Sequence, residues 1–383
     1  VPRSPRAPRT TRTRRSSGAA APALALAALA LLAAAPAPAS AIPPPPPAAA
    51  PTADPAPADP APTGPSAFRL SDPRVIAHYS HEDGQTPENI ALDPDGSAYL
   101  TFALARQVAH ADAGGHTRVI ATLPEAAPPG TPGAGAAAVT GIVRTHDGSL
   151  YVPYVTGTDR TGIHRIRPDG TVGLFARLPA DGHANGLALD KRHGLLYAAD
   201  SRLGTIWRIS LHDASVTAWA AGAPLEPVTS AGANGIKVHH GAVWVSNSDR
   251  GTLLRIPVRE DGTAGAVETH ATGLAGIDDF AFAGDGMTVV AALPASDEVV
   301  LVRPDGTRST MLTRRDGLSG PTSVAVRDGR VYVASASSLA TDKDPNLLVA
   351  AIEGAGRGES AASGPGAAHS GAAAAGADEA SAT

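Results

Sequence analysis

Six positions share one register in this sequence: Glu88, Thr140, Asn185, Asn234, Asp278 and Thr322. Each directly precedes a short apolar run, and successive members lie about 44 to 52 residues apart. Two are carboxylates and two are amides, so four of the six can present an oxygen ligand. An all-oxygen set suits a hard divalent cation, Ca2+ or Mg2+, with water completing its shell. Any one of these residues alone reads more simply as a turn former, because Asn and Asp side chains bond to their own backbone. Four at one repeat register point to a shared metal or polar ligand site. Other chemistries lack their signatures. The chain contains no Gly-x-Ser-x-Gly elbow and no glycine-rich phosphate loop between a strand and a helix. It has no cysteine, which excludes disulfides and thiolate metal centres.

The elements that carry these positions are short strands. HANGLALDKRHGLLYAADSRLGTIWRI, residues 183–209, reads as three strands separated by tight turns. Its nearest copy is GANGIKVHHGAVWVSNSDRGTLLRIPV at 232–258, and further openings begin near residues 86, 140, 278 and 322. A polar hairpin and a fourth strand follow, with Arg-Pro-Asp-Gly-Thr at 167–171 and again at 303–307. The glycine of such a turn supplies the positive φ that tight hairpins need. Units of this length with four strands and no helical period are β-propeller blades. The fold expected is therefore all-β, a six-bladed β-propeller of four-stranded antiparallel blades. The last repeat supplies only three strands, so Arg74–Ser80 is expected to close the ring as its fourth, leaving no exposed edge. The inner strand of each blade lines the central channel, which brings the six shared positions to one mouth.

The residues outside the repeats have other signatures. In 1–41, six arginines between Arg3 and Arg15 precede an apolar run, Ala19–Ala35, and a small-residue site at Ala39–Ala41. This reads as a secretion signal, of either the general or the twin-arginine route, and the run is short for a membrane span. Residues 42–66 are a Pro/Ala-rich linker, 67–353 the propeller, and 354–383 a Gly/Ala/Ser tail expected to be disordered. The expected product is a secreted protein with no stable span after signal cleavage. The formal charge of −5 argues against nucleic-acid binding.

The openings Glu88-Asn89-Ile90, Asn185-Gly186-Leu187, Asn234-Gly235-Ile236 and Asp278-Asp279-Phe280, with DPDG at 93–96 and LYAADS at 196–201, resemble the SMP-30/gluconolactonase superfamily, as an outlying branch. The resemblance covers about 70–353 and implies a six-bladed propeller with one divalent cation at the channel mouth, Ca2+ first and Mg2+, Mn2+ or Zn2+ as alternatives. It implies Glu88, Asn234 and Asp278 as metal ligands, Asn185 as a substrate contact, and Asp278 as general base in lactone hydrolysis. An arginine of the lactonases two residues before the third-blade Asn is replaced by His183, which takes a substrate-orienting role here. The fifth opening carries two aspartates where lactonases carry Asp-Gly, so either Asp278 or Asp279 could reach the axis, and Asn89 could add a ligand. The resemblance implies a metal-dependent hydrolase acting on a small molecule such as a lactone. The alternative is a non-catalytic secreted propeller that holds a small molecule or protein partner. Asp200 and Asp249 occupy matching turns and read as shared turn chemistry. His239 and His240 read as solvated, His78 and His81 carry no assigned role, and Trp207, Trp219 and Trp244 read as core between blades.

Overall fold

Alternation with a period of two, cut by Asp-Gly turns, folds each repeat into a four-stranded antiparallel sheet. The computed structural model describes residues 68–126, 136–339 and 342–353; the segments read from the sequence as secretion signal, linker and Gly/Ala/Ser tail lie outside the described residues. Blade 1 spans Pro87–Thr122, blade 2 Ala138–Arg177, blade 3 Ala184–Ala221, blade 4 Ala233–Ala271 and blade 5 Phe280–Thr313. Blade 6 is built from Pro321–Glu353 and the N-terminal strand Arg69–His78. That strand pairs antiparallel with Asn346–Glu353, and its register slips at Ser71–Arg74 and Val75–Ala77. The first slip coincides with Asp72, whose φ is +50°, followed by Pro73. The ring is thus closed as expected by pairing the two ends of the folded segment, with the closing strand starting earlier than the sequence suggested.

One turn design recurs between strands. In Asp95-Gly96-Ser97, Asp147-Gly148-Ser149, Asp169-Gly170-Thr171, Asp261-Gly262-Thr263 and Asp305-Gly306-Thr307, the aspartate Oδ1 accepts the backbone N–H two residues on, at 2.9–3.0 Å. Their glycines all have φ between +77° and +84°. The Asp closes an Asx turn and the Gly takes the left-handed backbone a β-carbon would oppose.

The hydrophobic core is divided among the blades. Six buried clusters occur, one between each pair of neighbouring blades. Between blades 4 and 5 the fully buried Trp244 meets Phe280 and Val300; between blades 1 and 6, Phe102 meets Tyr332 and Leu347. Most of the rest is Val, Leu, Ile and Ala, which is how a chain with few aromatic residues fills a propeller. Trp244 meets its core expectation fully. Trp207 and Trp219 are half-buried, with indole N–H groups donating to Asp200 Oδ2 at 3.1 Å and Gly262 O at 2.9 Å.

At the mouth, neighbouring blades are also joined by hydrogen bonds. Thr101 Oγ1 donates to Thr140 O, Thr140 Oγ1 to Ala184 O, Ser201 Oγ to Ala233 O, and Ser246 Oγ to Asp278 O, at 2.5–2.8 Å. The Asp279 N–H donates to Thr322 O at 3.1 Å, and Thr322 Oγ1 to Pro87 O at 2.9 Å. Every blade interface therefore has one such link. Thr140 and Thr322, the two members of the shared register without a carbonyl or carboxylate, serve this ring.

Candidate metal and active site

Two tiers of residues fill the channel, and they are adjacent in sequence. The upper tier is the shared register at the mouth. Glu88 stands on the first strand of blade 1, Asn234 on that of blade 4, and Asp278 just before that of blade 5. The backbone around Asp278 is fixed: its N–H donates to Ala292 O, and its C=O accepts from Ser246 Oγ and Gly235 N. The side chain is left to the mouth. It lies within the field of the Glu88 carboxylate, and the Asn234 side chain sits against it and favours its charged form. Asn234 also donates an amide hydrogen to Ser248 Oγ at 2.9 Å. The Glu88 side chain makes no hydrogen bond and no ion pair among the described residues.

Both carboxyl groups are pushed upward. Burial raises Glu88 to about 7, with the negative charge of Asp279 adding to the rise. Burial raises Asp278 well above the usual range, followed by the fields of Glu88 and Asp279; Asn234 and Lys237 oppose the shift. Two desolvated carboxylates without a cation of their own are a site whose charge calls for an external one. The donor set of two carboxylates and one amide fits a hard divalent ion. Among the described residues no three His, Cys, Asp or Glu side chains gather as a metal cluster, so the amide is a necessary part of any such set.

The lower tier is one residue deeper and fully paired. Asp279 is 2% exposed. Its Oδ2 accepts from Asn89 Nδ2 at 3.1 Å and Ser323 Oγ at 2.8 Å, and its Oδ1 pairs with Lys237 Nζ at 2.5 Å. Blades 1, 4 and 6 thus each send one donor to a carboxylate from blade 5. Both aspartates of the fifth opening point inward, but they differ in use: Asp279 is tied to protein groups, while Asp278 faces Glu88 and Asn234. Asn89 gives an amide N–H to Asp279, which ties its side chain to the lower tier. Lys237 and Ser323 were missed from the sequence. In this lower column, Asn89, Asp279 and Ser323 stand where blades 2, 3 and 4 have Gly141, Gly186 and Gly235. Those glycines are required by close approach: a β-carbon would lie 2.7 Å from Asn185 O, 2.4 Å from Asn234 O and 2.7 Å from Asp278 O respectively. The break from Gly was a readable signal. Blade 2 shows the same closeness differently. Its inner strand is interrupted between Val139 and Val143 because the Gly141 N–H turns to Asn185 O at 2.8 Å.

Asn185 and His183 lie at the blade 3 opening. The Asn185 side chain has no hydrogen-bond partner among the described residues, and it is partly exposed. The His183 backbone is pinned, its N–H donating to Asp200 Oδ1 at 2.8 Å and its C=O accepting from Ser201 N. Burial lowers its imidazole pKa, Asp200 opposing and Arg202 assisting, so the ring is neutral at pH 7. Asp200 and Asp249 do not share one role. Asp200 holds His183, Arg202, Leu203 and Trp207 around its own turn. Asp249 instead gathers the backbone N–H groups of Val228 to Ala231 from the loop between blades 3 and 4. The solvated reading of His239 is also corrected: it stacks on Phe282 at 3.7 Å and contacts Gly286 O at 2.8 Å. His240 is exposed but contacts Asp285 O. The pair clasps the blade 5 hairpin. His78 pairs with Asp344 at 2.6 Å.

No protein-family model matches the chain, and no curated protein matches it in sequence. Solved structures do match in shape. A calcium-binding regucalcin from Agrobacterium tumefaciens is 17% identical, with a TM-score of 0.54 over 70% of this chain and 90% of its own. A gluconolactonase from Xanthomonas campestris is 14% identical, with a TM-score of 0.53 over 76% and 98%. A virginiamycin B lyase from Staphylococcus aureus is 14% identical, with a TM-score of 0.51 over 74% and 99%. At these identities the likeness shows the propeller fold alone, found in a calcium-binding protein, a gluconolactonase and a lyase, and the choice of chemistry falls to the residues at the mouth.

Proposed function

We propose that this protein is a metal-dependent hydrolase of small cyclic esters, a lactonase of the SMP-30/gluconolactonase type, with its site at the propeller mouth. The single observation that carries the reading is the meeting of Glu88, Asn234 and Asp278 from three blades, with both carboxyls raised and Glu88 left without a partner. These three side chains would hold one divalent cation, Ca2+ by preference. A bound cation would supply Lewis acidity, polarising the ester carbonyl and stabilising charge on its oxygen. The chain's own groups do the rest. Asp278 takes a proton from the attacking water, which requires it to keep basicity beside the cation. Asn185, with an unpaired amide, and neutral His183 orient the ring and its hydroxyl groups from blade 3. The ring of blade-to-blade hydrogen bonds keeps the three ligand-bearing backbones in fixed relation. The export signal read in 1–41 would place this chemistry outside the cell.

The test uses protein stripped with chelator and a panel of sugar and aliphatic lactones, following acid release with and without added Ca2+, Mg2+, Mn2+ or Zn2+. Turnover should depend on the metal and fall at least about a hundredfold in Asp278→Ala. Metal binding without turnover of any lactone would transfer the mouth to the alternative, a binding propeller. Neither metal binding nor turnover would overturn the site.

A further inference from the structure

Below the Asp279 cluster, on the side away from the mouth, the six inner strands line an open cavity of about 350 Å3. None of the six mouth positions lines it. Its volume is at the lower end of small-molecule sites, about 300–1,000 Å3. The lining is polarised around the ring. Blades 2, 3 and 4 contribute three cationic side chains, Arg144, Lys191 and Lys237. Blades 5, 6 and 1 contribute aliphatic groups and Phe282, with Asn89 as their one polar member. No Asp or Glu side chain faces the space.

The three cations are not equally engaged. Lys237 is held from the mouth side by Asp279. Arg144 reaches Asp93 with one terminal nitrogen at 3.3 Å and hydrogen-bonds the Tyr99 side chain, and a quarter of its side chain stays exposed. Lys191, exposed at the rim, has no ion pair among the described residues. Cationic side chains on one side favour an anionic group, and the apolar wall opposite them penalises a ligand that is polar throughout. A neutral apolar guest would make no use of the cationic side chains of blades 2, 3 and 4. A free phosphate or a sugar acid would press its polar groups against the wall of blades 5, 6 and 1.

We propose that this cavity is a second ligand site, for a small monocarboxylate with an apolar body. The carboxylate lies between Arg144 and Lys191, and the apolar part lies against Ile142, Val238 and Ala325. The Asp279 cluster separates it from the mouth, so this site does not depend on the metal or on the hydrolytic reading above.

Isothermal titration of the folded protein tests it, with octanoate as probe and 1-octanol and inorganic phosphate as controls. Octanoate should bind one per chain, with or without chelator. Octanol and phosphate should each bind about tenfold more weakly or worse, the loss of one well-made charged contact. Lys191→Glu, at an exposed position that the fold does not need, should weaken octanoate by about threefold or more. Ala325→Phe should fill the cavity and remove binding. Octanol binding as tightly as octanoate would overturn the proposal. So would the absence of octanoate binding at millimolar concentration, or octanoate binding indifferent to Lys191→Glu. Should Ala325→Phe fail to fold, the octanol control and Lys191→Glu still decide the matter.

Discussion

Asp278 and Asp279 are chemically identical neighbours with opposite surroundings. Asp279 collects a lysine, an amide and a hydroxyl from three other blades and is closed off from water. Asp278, one residue nearer the mouth, faces another carboxylate and a single amide. A buried carboxylate whose partners all come from the protein serves the fold. One whose partners are too few has its remaining valence available to something outside the chain. The fold tolerates the second because it has provided for the first: Lys237 offsets Asp279 and, at longer range, also eases Asp278.

The largest expected effect breaks this contrast from below. Lys237→Ala leaves Asp279 buried without its cation, and urea unfolding should show a loss of about 3 kcal/mol. Adding Asp279→Ala in the same chain should return a large part of it. Asp278→Ala alone should leave stability unchanged or higher at neutral pH while removing any stabilisation by Ca2+. If Asp278→Ala destabilises as much as Lys237→Ala, the two tiers are not different and the comparison fails.

A smaller effect concerns protons. Because burial raises Glu88 from 4.5 to about 7, the folded metal-free protein holds a proton there that the unfolded chain releases. The Glu88 contribution to folded stability therefore declines as pH rises from about 4.5 to about 7 and levels off above that, with Asp278 adding a decline of the same sign. Melting temperatures of chelated protein should fall across this window. Glu88→Gln should remove its share of the decline, leaving that of Asp278, and raise the melting temperature at pH 8. Added Ca2+ should offset the decline in the unsubstituted protein and not in the variant. The smallest effect belongs to Asn185→Ala. Its side chain has no partner among the described residues, so unfolding stability should move by less than about 0.5 kcal/mol. A substrate-contact role requires that KM for any lactone rise nonetheless.

Much of this was legible in the sequence, for a physical reason. Propeller blades are local: turns close over five residues, strands pair with their chain neighbours, and one apolar pattern recurs. Repetition therefore exposes the blade count and the register that places Glu88, Asn185, Asn234 and Asp278 at a common height. The choice between Asp278 and Asp279 was not legible. It depends on Lys237, whose position three residues past Asn234 looks like any outward-facing polar residue of a strand. Its partner comes from the next blade, and no local pattern records which neighbour an inner strand touches. The threonines had the same ambiguity. Thr140 and Thr322 occupy ligand positions in the repeat, yet their hydroxyls serve as links to the next blade. His239 looked solvated because the aromatic ring that covers it, Phe282, belongs to another blade.

The pairing of Arg69–His78 with Asn346–Glu353 has a consequence for timing. Five blades can form from consecutive chain, but the sixth needs strands that nearly the whole folded length separates. Bringing those ends together carries a loop-closure entropy that the other blades do not face, so this is the step expected last on the way to the native ring. Until then the three other strands of that blade, within Pro321–Glu353, offer an unpaired edge at Asn346–Glu353. Once the first strand docks, no blade can peel away without opening that seam or parting two hydrophobic interfaces. The lifetime of the folded ring, more than its equilibrium stability, is what this arrangement extends.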